Sequence, residues 1–295
     1  MEFLRLLLPV LMAVGTSLAF DRQMTQRGLA PPNFRVDEWS SEAGRQRAVL
    51  RRTVAMGLLA FILWIGIFAP IGMIGQAELP MPQGLTIADL FLLHGVFVVG
   101  LCLWFGLGFW GSSGATAWRD QLGFGGRHIA REIGLGAAAG VAGWLGVIAI
   151  LLLVALVVYF IGGEDALPSD PPSVITWIVA LPIGVRLALS LSAGVVEETF
   201  FRGFLQPRIG AAFASILFVL AHLSYEQPFL LIGVALLSLL FSFLARWRQS
   251  IWAAIAAHTV FDGIQLLFVI PNAVRLLDKG EVGPVALVLA WVGRL

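Results

Sequence analysis

Eight ionisable side chains sit inside long apolar runs of this chain: His94, Arg186, Glu197, Glu198, Arg202, His222, His258 and Asp262. A charge at the centre of a bilayer costs about 2.5–3.5 kcal/mol on insertion scales, so each such residue calls for a partner or a chemical role. In Glu197-Glu198-x-x-x-Arg202, Glu198 and Arg202 stand at i and i+4, share a helical face and can pair. Glu197 is rotated by about 100° from Glu198 and is left without that partner. One structural and one free carboxylate is what a general base requires, because an arginine then neutralises the like-charged neighbour. The plainer reading is a helix end at the interface, capped by three charges.

Two more pairs follow. Phe218-x-x-x-His222 places an imidazole on the next apolar run, where a hydrogen-bonded packing role is the plainer reading. His258-x-x-x-Asp262 puts an imidazole and a carboxylate on one helical face, either as a hydrogen-bonded pair or as two ligands of one metal. Together Glu197, His222, His258 and Asp262 could hold and activate one water: a base, with imidazoles to stabilise an oxyanion or bind a cation. The HExxH signature of soluble zinc proteases is absent.

The elements that would position these groups are membrane helices. Of the 295 residues 59% are apolar and 13% charged, and the mean hydropathy is +0.90; soluble chains lie near about 45–50% and 25%. Apolar runs fall at roughly 3–20, 54–76, 87–110, 133–162, 174–197, 209–225, 229–245 and 250–270, with a shorter one at 284–293. They are too long and unbroken for barrel strands. The expected fold is an all-α, polytopic transmembrane bundle of about eight helices, in an N-terminal region 1–173, a core 174–270 and a C-terminal segment 271–295. The arginine-rich loop 21–53 is assigned to the cytoplasm, which makes the first run a retained anchor rather than a cleaved signal. Arginines in 111–132 and acids without basic residues in 163–173 continue the alternation, and Glu197 then falls about one turn inside the cytoplasmic end of its helix. From that side His258 lies at about 12 Å and His222 at about 17–20 Å, a spread that calls for tilt, a re-entrant turn near 203–210 or different segment boundaries.

A net charge of +1, with the basic residues gathered in a few loops and not spread over a face, excludes a nucleic-acid partner, and the single Cys102 excludes an intrachain disulfide. No internal repeat is visible, which counts against a transporter. His94 has no second motif near it and reads as a packing residue. Arg186 shares the face of Glu197 about 16 Å away, where it could pair with Asp262 or with a substrate carboxylate.

The ordered trio of motifs, with Arg202-Gly203-Phe204-Leu205 after the glutamates, resembles the family of CAAX prenyl endopeptidases and bacteriocin-processing enzymes (the CPBP or Abi family), which are polytopic intramembrane proteases. The resemblance covers about 175–270. It implies a catalytic set in which Glu197 activates water, Glu198 and Arg202 are its structural partners, and His222, His258 and Asp262 complete the site. The last position is often asparagine in that family. An amide can donate to an oxyanion and an ionised Asp262 cannot, so Asp262 is expected to be a metal ligand, an orienter of His258 or a protonated acid. Two mechanisms stay open. One holds a divalent metal, zinc, among Glu197, His222, His258 and Asp262; the other is metal-free, with Glu197 as base and His258 on the oxyanion. The expected activity is hydrolysis of a peptide bond, of CAAX or leader-peptide type, in a multi-pass protein of the bacterial inner membrane. Its expected partners are a peptide or membrane-protein substrate and the lipid bilayer. The rival readings are an inactive scaffold or immunity protein of the same fold and a proton-coupled small-solute transporter.

Overall fold

The computed structural model describes residues 2–29, 34–35, 41–69, 87–107, 117–126, 128–163, 166, 173–223, 228–272 and 275. The expected loop at 77–86, most of 163–173 and the run at 284–293 lie outside them. The described residues are mostly helical, with no strand among them, and the all-α bundle expected from the sequence is the fold observed. The helices are α1 (Glu2–Gln26), α2 (Glu42–Leu63), α3 (Ile87–Gly106), α4 (Ala117–Gln121), α5 (Ile129–Gly162), α6 (Ser173–Ala180), α7 (Ile183–Glu198), α8 (Gln206–Ile209), α9 (Ala211–Ala221), α10 (Pro228–Arg248) and α11 (Trp252–Ile264). Three π-helical stretches extend them: Trp64–Phe68 after α2, Thr199–Leu205 between α7 and α8, and Gln265–Val269 after α11.

Among the described residues four helical stretches are long and apolar enough to cross a membrane: Glu42–Phe68, Ile129–Gly162, Leu231–Arg248 and Trp252–Asn272. They fit an integral multi-pass membrane protein. On α5 the outward side chains are large and apolar, Phe160 and Ile161 among them, as a lipid-facing surface requires.

Two boundaries differ from the sequence reading, each for a local reason. The run at 174–197 is interrupted after Ala180 at Leu181-Pro182. Pro182 has no N–H to give and disfavours helical backbone at the residue before it; with φ −53° and ψ 144° it starts α7 as its N-cap. The helix then continues past Glu198 through the π stretch to Ile209, and the chain reverses at Gly210, whose φ of +94° is a conformation that favours glycine. Glu197 therefore lies in mid-helix, and not one turn from an end. The residues from 199 to 209 add about 16 Å beyond it at 1.5 Å each. The 11-residue α9 is about as long, so it returns from Gly210 to the depth of Glu197 and ends there with His222 as its C-cap. The spread in depth expected from the sequence disappears, and no re-entrant turn at 203–210 is present.

Contacts gather the arginines at one end of the bundle. Arg52 forks onto Asp21 at 2.8 and 2.6 Å, and Arg248 onto Glu132 at 2.7 and 2.6 Å. Arg208 reaches Gln121 at 3.3 Å, and the guanidinium of Arg27 lies over Gly210. This end matches the cytoplasmic side expected from the charge of the loops.

Two cores fill the bundle. One is aromatic and joins α1, α2, α3, α9 and the π stretch after α7; the other joins α5, α10 and α11. Small residues let backbones touch across the second. A Cβ at Gly136 would stand 2.3 Å from the Ala253 carbonyl oxygen, one at Gly140 2.6 Å from that of Ala257, and one at Gly194 3.0 Å from that of Ile255. Close backbone approach of this kind is what holds helices together where lipid removes the hydrophobic drive. It ties α11 between α5 and α7, and α7 and α11 carry five of the ionisable groups.

Candidate active site

The two glutamates have different neighbours because they leave α7 on different faces. Glu198 is fully buried and its carboxylate is held on both sides. Arg202, four residues on, approaches with Nε 3.2 Å from Oε2, an ion pair without the alignment of a hydrogen bond. His258 Nδ1 lies 2.9 Å from Oε1. Arg202 is itself fixed: its Nη2 donates to the Ser238 carbonyl and hydroxyl at 3.1 and 3.0 Å, and its guanidinium lies 4.3 Å from the centre of the Phe218 ring. A cation over an aromatic face in a dry setting adds up to about 2 kcal/mol.

His258 is clamped between carboxylates. Nδ1 faces Glu198 and Nε2 faces Asp262 Oδ2 at 3.4 Å, while the ring stacks on Phe241 at 4.8 Å between centroids. A neutral imidazole can donate to only one of these carboxylates, and an imidazolium to both. The sequence reading placed His258 opposite Glu197; it is bound to Glu198 instead. The reason is helical rotation, since the face of α7 turned to α11 carries Gly194 and Glu198 together, four residues apart.

Glu197 faces α3 and the end of α9. Its Oε1 is 3.4 Å from His94 Nε2, and its Oε2 is 3.8 Å from His222 Nε2, beyond a direct hydrogen bond. Ser192 lies 2.7 Å from His94 Nδ1 and orients that ring from the same helix as Glu197. His222 sits 2.7 Å from the Phe218 carbonyl through Nδ1, which fixes Nδ1 as the donor and turns the Nε2 lone pair of the neutral ring toward Glu197. His94 is the group the sequence reading set aside as packing. It stands about a hundred residues from the motifs, and its only signal was an imidazole inside an apolar run.

Arg186 does not pair with Asp262. Its Nη1 donates to the Leu266 carbonyl at 2.8 Å, within the π stretch after α11, and no carboxylate contacts it among the described residues. The glutamates are closed off toward the arginine-bearing end by Phe97, Trp104, Phe200, Phe201 and Phe204, each no more than 1% exposed and packed ring on ring, Phe97 over Phe200 at 4.3 Å. Glu197, His222 and Asp262 keep some exposure, 12, 14 and 24% of their side chains.

The expected metal set does not assemble in this arrangement. Glu197 lies near His222 and His258 near Asp262; Nδ1 of His258 is hydrogen-bonded to Glu198, and among the described residues no three His, Cys, Asp or Glu side chains are grouped to hold one ion. A tetrahedral zinc site needs three protein ligands converging at about 2.0–2.2 Å.

Residues 172–264 match the family model described as Type II CAAX prenyl endopeptidase Rce1-like, so the resemblance seen in the sequence holds over that segment, which is less than half of the chain. The segment contains Glu197, Glu198, Arg202, His222, His258 and Asp262 and leaves out His94. Over 77 residues the chain is 34% identical to "Uncharacterized protein YpbD" of Bacillus subtilis (strain 168), a stretch covering 26% of this chain and 41% of that protein. No solved structure matches.

Proposed function

We propose that the chain is an intramembrane endopeptidase in which Glu197 activates a water against His222, and the cluster of Glu198, Arg202 and His258 keeps the helices in register. The observation that carries this reading is the unequal division of partners. Each carboxylate has one oxygen hydrogen-bonded and one not, but Glu198 is fully buried against a guanidinium 3.2 Å away and an imidazole, whereas Glu197 has no guanidinium beside it and its open Oε2 faces His222 Nε2 at 3.8 Å. Two acceptors at that separation suit one water that donates to both at about 2.8 Å each.

In the mechanism, Glu197 takes a proton from that water as its oxygen attacks the scissile carbonyl, and later returns the proton to the leaving amine. His222 Nε2 accepts a hydrogen bond from the water's other O–H, which stays intact, and so aims the nucleophile. His94, oriented by Ser192, holds Glu197 in place. The oxyanion is assigned to the Nε2–H edge of His258, which Asp262 holds only at 3.4 Å. Asp262 then orients His258 in place of the amide usual in the resembled family. No step runs through a metal.

The substrate class follows from the family matched by residues 172–264: a peptide or membrane-protein segment, as in CAAX or leader-peptide processing. The host membrane in this reading is the bacterial inner membrane. The core 174–270 carries the chemistry, with His94 supplied by the region before it.

The test is cleavage of quenched peptides, both prenylated C-terminal and leader-type, by protein reconstituted in lipid. General-base removal is worth about 10²–10⁴-fold, so Glu197→Gln should lower kcat at least 100-fold while the helical content and unfolding midpoint stay as in wild type. Wild-type cleavage retained within tenfold in that variant overturns the assignment.

A further inference from the structure

A second polar space lies on the other side of the aromatic layer. It is a half-open cavity of about 570 Å³ at the arginine-bearing end, between the ends of α1, α8 and α10 and the start of α9. Its floor is made of buried polar side chains, Arg202, Gln206 and Ser250, each less than a tenth exposed. Two atoms of that floor, Arg202 Nη1 and Gln206 Oε1, have no partner within the described protein, although Gln206 is held in orientation by its bond to the Ser242 carbonyl at 3.0 Å. The lining also includes the exposed Arg27 and Arg246, for which no carboxylate partner exists among the described residues, and the exposed Asp120. Arg27 Nη2 lies 3.4 Å from where a Cβ on Gly210 would be, against the turn between α8 and α9.

We propose that this cavity binds a phosphate-bearing anion, and that the natural occupant is a phosphodiester headgroup of a lipid in the leaflet at the arginine-bearing end. Arg27 and Arg246 take the phosphate oxygens. Asp120 accepts from a hydroxyl or ammonium group on the same headgroup, a combination that favours a headgroup with a donor over one without, such as a choline. Charged hydrogen bonds to phosphate form readily with guanidinium forks, and basic pockets between helices at headgroup level are where anionic lipids lodge. The binding is independent of peptide hydrolysis, so it stands or falls apart from the catalytic reading.

The test is thermal unfolding of the full chain in neutral detergent, followed by tryptophan fluorescence, with added short-chain phosphatidylglycerol, phosphatidylcholine or inorganic phosphate. Phosphatidylglycerol should raise the midpoint by about 3 °C or more and phosphatidylcholine should not. Arg27→Gln/Arg246→Gln should abolish the rise, while Arg45→Gln/Arg51→Gln, which removes the same charge elsewhere on this end, should keep it. If the first double variant does not fold, Arg246→Gln alone, at an exposed position, should at least halve the rise. A rise from inorganic phosphate of equal size assigns the site to free phosphate instead of lipid. Equal rises from the two lipids, no rise from any of them, a rise that survives loss of both arginines, or a rise lost equally in the control variant each overturn the proposal.

Discussion

Replacing Arg202 by methionine keeps an unbranched side chain as far as about the Nε position and removes the charge from an ion pair in which both side chains are fully buried. Unit charges 3.2 Å apart attract by about 5 kcal/mol at an effective dielectric near 20, although taking both out of water offsets most of that when the pair forms. Removing one partner leaves the offset in place. The variant loses the ion pair, two hydrogen bonds to Ser238 and the stacking on Phe218, and it strands a carboxylate whose remaining support is His258. A loss of about 3–5 kcal/mol is expected. Equilibrium unfolding in mixed micelles measures it, and the second arm is the double variant Glu198→Gln/Arg202→Met. With the stranded charge gone, the double variant should be more stable than the sum of the two single losses predicts, by about 2 kcal/mol. A loss below about 1 kcal/mol for Arg202→Met, or strict additivity in the double variant, would refute the view that this pair is a buried bracket.

Three further outcomes are expected. His94→Phe should lower kcat about tenfold or more with little change in KM or in unfolding midpoint, because it releases Glu197 without touching substrate; unchanged kcat would return His94 to a packing role. Incubation with a strong zinc chelator followed by its removal should leave turnover unchanged, and a loss reversed by added zinc would count against the metal-free mechanism. Gly136→Val should destabilise by about 1–3 kcal/mol, since its Cβ would press on the Ala253 carbonyl, while Gly134→Val two residues earlier meets nothing within 4 Å and should be near neutral by the same unfolding assay.

The sequence carried the local part of this site and not the long-range part. Glu198 with Arg202 and His258 with Asp262 were legible because i,i+4 spacing is a property of one helix, and both pairs are in contact. Which glutamate His258 meets depends on the rotation of α7 against α11, set by where Gly194 lets the backbones approach, and no spacing rule encodes that. His94 could not be joined to Glu197 for the same reason, as the link is a contact between α3 and α7. Hydropathy located the apolar runs, but it is blind to the break at Leu181-Pro182 and to the shortness of α9, which together set the depth of the site.

The aromatic layer between the glutamates and the arginine-bearing end has an electrical consequence. A wet, ionisable site half-way through a bilayer shortens the path for protons, and every elementary charge crossing 100 mV dissipates about 2.3 kcal/mol. Phe97, Trp104, Phe200, Phe201 and Phe204 put buried, tightly packed rings across that path, and the polar group that passes among them is Arg202, paired with Glu198 on one side and lining the cavity on the other. On the proposed reading, this packing limits the leak of protons past a water held at Glu197. That insulation also separates a hydrolase from a transporter, whose polar pathway has to open to both faces in turn.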